Sequence, residues 1–394
     1  MRNLTTHSVR GFSLIEMMIA LGVGLVILGA AVQLFTRSVN VTWLVSQKSE
    51  LQQDARAASN LLTKDISLAG AGLPSGGVAL PPKNGTGGTG VTQLFGCAYG
   101  VVPCYLGPNS NTAGVYPTQA VNGITTPYMY GIIPGCLAGI KIATNPNPTD
   151  TITVVYTDNV FPLTDYTTVT INSTANAVTF TRTKPVDPAV NDPVVGLQSG
   201  DLVLFQSTLA SAGGATTGYA IAEVTTPAAT GSGLGPYTVN FNAGDPLLFN
   251  WPAAPAGNLA SLVGGSNTLA TRVWAITYYL KMMPDPLGVG AGIPVLMRQV
   301  NGRTPVPVAE NTVNLQFTYD TYDSSGNLQQ ASCDGGQSLG VSPSQIRTIN
   351  ISHLTLRSQL PGVSGTMRTM NGYQGVDVQT SISARNLSFT PSYQ

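Results

Sequence analysis

Between Met17 and Thr36 the chain carries no charged residue, and a single carboxylate, Glu16, stands at the head of that run. About 20 consecutive apolar residues are what a helix needs to cross a bilayer. This segment therefore fixes the N-terminal architecture before any other feature is weighed. A short basic leader, with Arg2, His7 and Arg10, precedes it and ends in Gly11. Glu16 is the anomaly, because an ionised carboxylate at the edge of hydrocarbon is unfavourable and is kept where it has a partner.

Three readings compete for the first forty residues. A secretory signal peptide has an apolar core of about 7–15 residues followed by a small-x-small cleavage site. The run here is longer, Gly29-Ala30-Ala31 only weakly mimics such a site, and Glu16 fits badly. A plain transmembrane anchor explains the length but not the order Gly11-Phe12-Ser13-Leu14-Ile15-Glu16. The third reading rests on Arg10 to Leu21, a segment that resembles the class III signal of type IV prepilins. The resemblance implies a membrane prepilin peptidase that cuts between Gly11 and Phe12 and methylates the new N-terminus on Phe12. It also implies that Glu16 is the assembly carboxylate.

The chemistry of that assignment follows from the residues. A cut after Gly11 exposes an α-amine on Phe12, positively charged near neutral pH. Glu16 lies four residues on, so both groups share one helix face. An incoming subunit can set its amine against the Glu16 of a neighbour, and in a low-dielectric core leaving either charge alone is costly. The same spacing permits a pair within one helix. Many major pilins carry a proline in the middle of this segment; this chain has none there, and Gly22, Gly24 and Gly29 instead allow close packing between helices.

Composition removes several function classes. Only 9% of residues are charged. Losing Arg2 and Arg10 with the leader takes Lys+Arg from 18 to 16 against 18 Asp+Glu, a formal net charge of −2. That leaves no basic patch for a phosphate backbone, so no nucleic-acid partner is expected. Of two histidines, His7 belongs to the leader and His353 stands alone in a strand-like run. No Ser/His/Asp triad, two-His metal motif or phosphate-cradling glycine loop can be assembled, so neither an enzyme nor a cofactor is expected. Asp320, Asp323, Ser325 and Asn327 have oxygen ligands at suggestive spacing, but the closing Glu of an EF-hand loop is missing and a β-turn accounts for them, so no metal is assigned.

The four cysteines are Cys97, Cys104, Cys136 and Cys333, and none forms a CxxC pair. Export to an oxidising compartment favours disulfides over free thiols. Three connectivities are possible; Cys97–Cys104 closes a short loop holding Gly100 and Pro103, which leaves Cys136 with Cys333 as a long-range staple.

Beyond the apolar run, Leu44, Leu51, Ala55, Ala58, Leu62, Ile66 and Ala69 recur at helical spacing and form one stripe. Lys48, Glu50, Asp54, Arg56, Lys64 and Asp65 are expected off it. Gly70, Gly72 and Pro74 supply the stop. Residues 75–150 are rich in Gly, Pro, Asn and Thr, hold three of the cysteines and read as a loop-rich, disulfide-stapled surface insertion. From Thr151 the chain reads as strands, with a hairpin around Ser173–Asn176. Further strands are expected at Leu202–Phe205, Tyr219–Val224, Tyr237–Phe241, Val273–Leu280, Val295–Val300, Val313–Tyr319, Ile346–Leu356 and Val376–Ala384. Short turn-rich separations predict antiparallel pairing.

A second resemblance lies in Asp54-Ala55-Arg56-Ala57 and Asp65-Ile66-Ser67-Leu68-Ala69-Gly70 on the helix. It continues in Val295-Leu296-Met297-Arg298, Val308 to Tyr319, Ile346 to Ile351 and Ser383 to Leu387. These segments resemble PilW-like minor pilins and, more distantly, J-type pseudopilins of type II secretion. The expected fold is α+β: a long N-terminal helix, transmembrane in its first half, packed on a large antiparallel β-rich globular domain of the type IV pilin kind. The expected organisation is a leader at 1–11, a transmembrane assembly helix at 12–36, its amphipathic continuation at 37–72, the insertion at 75–150 and the β domain at 151–394. The resemblance implies a minor pilin incorporated into a type IV pilus or its initiating tip complex, and the size of the β domain, taken alone, favours a tip or priming role. Its partners would be other minor pilins, the major pilin, the prepilin peptidase and the inner-membrane assembly platform. The chain would sit in the inner membrane with its bulk periplasmic, then on the pilus at the cell surface. The alternatives are a pseudopilin of a secretion machine, and an adhesin mounted on the pilin helix with residues 75–150 as its site.

Overall fold

The computed structural model describes residues 12–82, 117–121, 124–136, 139–142 and, with short breaks, 148–384. One helix, Leu14–Ser67, opens the chain. Its 54 residues extend about 80 Å at 1.5 Å per residue. No proline occurs before Pro74, so nothing interrupts the hydrogen-bond ladder. The stop is steric and specific. Gly70 and Gly72 both adopt φ +73°, and a Cβ on Gly72 would lie 1.9 Å from the Thr157 hydroxyl oxygen. The exit turn thereby presses directly on a strand: Gly70 N–H donates to the Val155 carbonyl at 2.8 Å, and Thr157 N–H donates to the Ala71 carbonyl at 2.8 Å.

All strand pairings among the described residues are antiparallel. The largest sheet has seven strands. Its main path runs Val306–Glu310, Ile293–Val300, Ser266–Met283, Thr151–Asp158 and Ile132–Gly135. The 18-residue strand Ser266–Met283 is its spine. Its first half pairs with Leu202–Ser211, which pairs in turn with Gly214–Glu223; its second half pairs with Ile293–Val300. A second sheet of five strands follows the order Leu328–Ser332, Thr312–Tyr322, Ile346–Pro361, Tyr373–Ser383 and Thr369–Met370. Two three-stranded sheets complete the domain.

The main core lies where the helix stripe meets both large sheets. Leu51, Ala55, Ala58, Leu62, Ile66 and Ala69 are buried against Ile152, Val154, Ile276 and Tyr278 of one sheet and Leu315, Phe317, Ile351 and Leu354 of the other. Period-2 alternation along the spine sends Ile276, Tyr278 and Leu280 to the helix, and Ala275, Thr277 and Tyr279 to the opposite face. A second core packs the small sheet of Thr168–Ile171, Ala177–Thr181 and Tyr237–Asn240 on the Leu202–Ser211 hairpin, with Phe180, Phe205 and Phe241 at its centre.

The structure differs from the sequence reading in three places. Asp65, expected off the stripe, is 2% exposed. Within the stretch read as surface loop, Ile124–Met129 and Ile132–Gly135 are strands, and Ile132 and Ile133 are fully buried. Val306–Glu310 and Leu328–Ser332 are edge strands where none was expected. The hairpin around Ser173–Asn176 forms, closed by the Asn172 side chain accepting from the N–H groups of Asn176 and Ala177 at 3.0 and 3.1 Å. Cys136 and Cys333 are joined by a disulfide that ties the end of an edge strand in the large sheet to the end of one in the five-stranded sheet. Cys97 and Cys104 lie outside the described residues, as do Gly11, Asp323 and the rest of the leader.

Candidate functional site

The helix begins with a complete capping box. Ser13 is the N-cap, in extended conformation at φ −79° and ψ 152°. Its hydroxyl accepts the Glu16 N–H at 3.3 Å, and the Glu16 carboxylate accepts the Ser13 N–H at 3.0 Å. Two of the backbone donors that a helix start leaves open are thus satisfied by each other's side chains. The negative charge also sits at the positive end of the helix dipole. Phe12 is one residue ahead of the cap and 85% exposed. An amine created at Phe12 would therefore emerge at the tip of the helix, beside the one carboxylate of its first turn.

Behind this head lies an arm that packs against nothing else among the described residues. Leu14, Ile15, Met17, Met18, Ile19, Leu21, Leu25 and their apolar neighbours as far as Phe35 are each more than half exposed. Burial starts only at Leu51. A Cβ placed on Gly22, Gly24 or Gly29 would meet no atom within 4 Å, so these notches are open to a neighbouring helix. The best 18-residue window of the helix has a mean hydropathy of 2.3, and the helix is long and apolar enough to cross a membrane. A continuous apolar surface on this scale marks a membrane or protein contact rather than a solvated face.

At its other end the helix is locked to the domain by a buried polar triad. The Asp65 carboxylate accepts from the Tyr278 hydroxyl at 2.6 Å and from Arg298 Nε at 2.8 Å. Tyr278 is on the spine strand and Arg298 on its neighbour, directly paired in the register. Burial, then the Asp65 charge, pushes the Tyr278 hydroxyl well above its ordinary value, and the same two causes raise Tyr156 to about 12. Both phenols therefore stay protonated, and Tyr278 is the donor to Asp65. Sequence spacing did carry this signal: Asp65 follows Leu62 by three and precedes Ala69 by four, which is the stripe's own period.

Other residues weighed as chemistry-bearing are dispersed. His353 Nδ1 lies 3.1 Å from Asp377 Oδ2 on an exposed strand face, where Thr355 also donates to Asp377. Asp320 Oδ1 accepts from Asn350 at 3.1 Å, as part of the strand ladder beyond which the turn begins. Among the described residues no three of His, Cys, Asp or Glu converge on a point.

Residues 6–32 match the family described as the prokaryotic N-terminal methylation motif. The match spans the second half of the leader, the capping box and most of the exposed apolar arm, and it supports a type IV pilin-like protein. Pilins and pseudopilins share this motif; it implies processing by a prepilin peptidase and assembly with other pilins, and together with the apolar helix it fits membrane anchoring by a single helix. No curated protein and no solved structure matches the chain.

Proposed function

We propose that this chain is a PilW-like minor pilin, cut after Gly11, methylated on Phe12 and built into a type IV pilus or the complex that initiates it. The observation that carries this reading is the unpacked apolar arm with Glu16 at its capped tip, mounted through Asp65 on a domain of two large sheets. A helix that is fully exposed over its first half needs a bilayer before assembly and neighbouring helices after it. Glu16 is the group that would meet the Phe12 amine of the next subunit, and the capping box holds it at the tip where that amine arrives. The bulk of the β domain favours a tip or priming position over a repeated place in the shaft.

Intact-mass measurement and N-terminal sequencing of the membrane-extracted protein, with and without the prepilin peptidase, test the pathway. A mature chain that starts at methylated Phe12 and disappears in the peptidase mutant supports it; a chain that still starts at Met1, or one cut near Ala31, refutes it. The machine is tested by deleting the gene: loss of surface pili with protein secretion intact is expected. Replacing Glu16 by Ala should leave cleavage unchanged while reducing incorporation into sheared pili at least tenfold, in line with removal of one member of a buried charge pair.

A further inference from the structure

On the face of the large sheet turned away from the helix, a cavity of about 670 Å³ opens between the strands, the loop at 242–250 and the turn at 301–305. Two acceptor atoms in its lining are left open. Glu223, the last residue of its strand, and Gln299 are each 6% exposed, and neither Glu223 Oε2 nor Gln299 Oε1 has a hydrogen-bond partner. The Gln299 amide nitrogen donates to the Arg303 carbonyl at 2.9 Å, which fixes which end of the amide remains open.

The site is held rigidly. Asp245 accepts the N–H groups of Phe249 and Asn250 at 2.8 and 3.0 Å. Asn250 in turn brackets the Glu223 backbone, accepting its N–H at 2.9 Å and donating to its carbonyl at 2.6 Å. The carboxyls of Glu223 and Asp245 thereby meet in a side-chain hydrogen bond, and the Leu247 N–H donates to the Glu223 carboxyl, which leaves Glu223 Oε2 as its open atom. None of the ion pairs among the described residues involves either of them. The guanidinium at the rim, Arg303, donates to Asp201 at 2.7 Å and to the Ser199 carbonyl at 3.0 Å.

Two buried acceptor atoms without donors are a deficit that the fold itself does not meet. What would offset it is a cation that also donates hydrogen bonds. Size separates the candidates. A calcium-like ion needs about 6–8 oxygen ligands drawn tightly around it, and no three acidic, His or Cys side chains converge here. The volume falls instead in the range of small-molecule sites, about 300–1,000 Å³, and Leu247, Tyr279 and Pro305 provide an apolar wall. We propose that this cavity binds a small organic cation, whose primary ammonium group donates to Glu223 Oε2 and Gln299 Oε1 and whose carbon skeleton lies on that wall. Neither the helix nor its motif takes part, so the site is independent of the assembly reading.

The test is calorimetric titration of the full chain in detergent micelles with cadaverine, with 1,5-pentanediol as its uncharged analogue and with calcium chloride. Saturable binding of cadaverine alone is expected, weakened at least tenfold in Glu223→Gln. Gln299→Leu should weaken it in the same direction, which keeps the test decisive if one variant folds poorly. The melting temperature of Glu223→Gln without ligand should not fall, because the neutral amide keeps the shape of a carboxyl whose ionised form is penalised by burial and by Asp245. Absence of cadaverine binding, equal binding of the diol, binding of calcium in its place, or undiminished binding by both variants overturns the proposal. A carboxyl pair that merely shares a proton within the fold would give the first of these results.

Discussion

Asp65 shows how one residue can set the relation between a helix and a sheet. It presents a charge to an apolar interface, and the interface answers with a phenol and a guanidinium from adjacent strands. Replacing it by Ala leaves the Tyr278 hydroxyl and Arg298 without their acceptor, and should lower unfolding stability by about 3 kcal/mol, read from urea melts. Arg298→Lys, which keeps charge but not the planar donor geometry, should do less damage. Glu223 makes the opposite case. Burial first, and Asp245 second, raise its carboxyl to about 8. Asp245 is raised in the same direction, while Arg303 opposes the shift from the rim. The folded chain then holds a proton that the unfolded chain releases near its ordinary value of 4.5. The stabilisation is fully present below that value and is lost as pH rises through about 8. Stability measured from pH 5 to pH 8.5 should fall more steeply in the wild type than in Glu223→Gln, the two curves diverging by about 2–4 kcal/mol. Glu16 was legible in the sequence because it breaks an apolar pattern. Asp65 was missed because a charge was assumed to leave the stripe whose spacing it obeys. Glu223 and Asp245 are brought together only by loop geometry, to which local sequence gives no clue.

At the level of elements, the helix was legible because a single period runs from Leu44 to Ala69. The strands with clean alternation, such as Thr312–Tyr322 and Ile346–Pro361, were legible for the same reason. Ile124–Met129 and Ile132–Gly135 were not. They are short, each contains a proline, and they lie in a Gly/Pro-rich stretch; what makes them strands is pairing, Ile124–Met129 with the adjacent Thr118–Val121 and with Val78–Ala79, and Ile132–Gly135 with Thr151–Asp158. Pro127 has no N–H to give the ladder, but its carbonyl still accepts from Leu80 at 2.8 Å. The stripe also specifies distance. Ala55 and Ala58 are 1% and 0% exposed at the point where the helix crosses the sheets. Small side chains there let the backbone approach closely. Ala58→Leu should therefore overpack the crossing and destabilise the domain by about 1–3 kcal/mol, whereas the same change at exposed Ala57 should be nearly neutral; paired melts check it.

The whole molecule divides by burial rather than by chain position. Every buried helix residue lies at or beyond Leu51, and both large sheets close over that half alone. The disulfide between Cys136 and Cys333 then links the two sheets across 197 residues of chain, so separating them requires unfolding or reduction. Closing so long a loop restricts the unfolded ensemble, and removing the link with Cys136→Ser and Cys333→Ser together should cost about 2–4 kcal/mol. The apolar arm contributes nothing to this core. A chain beginning at Ser46 keeps the buried part of the stripe from Leu51 onward, the Asp65 triad and the disulfide, and loses the surface that needs a membrane or a neighbouring helix. It should be soluble and monomeric without detergent, and its urea midpoint should match that of the full chain in micelles, since the arm adds no buried contacts. A truncated domain that aggregates or melts far earlier would show that the arm folds back on the sheets, and that the exposed first half of the helix is not a separate functional limb.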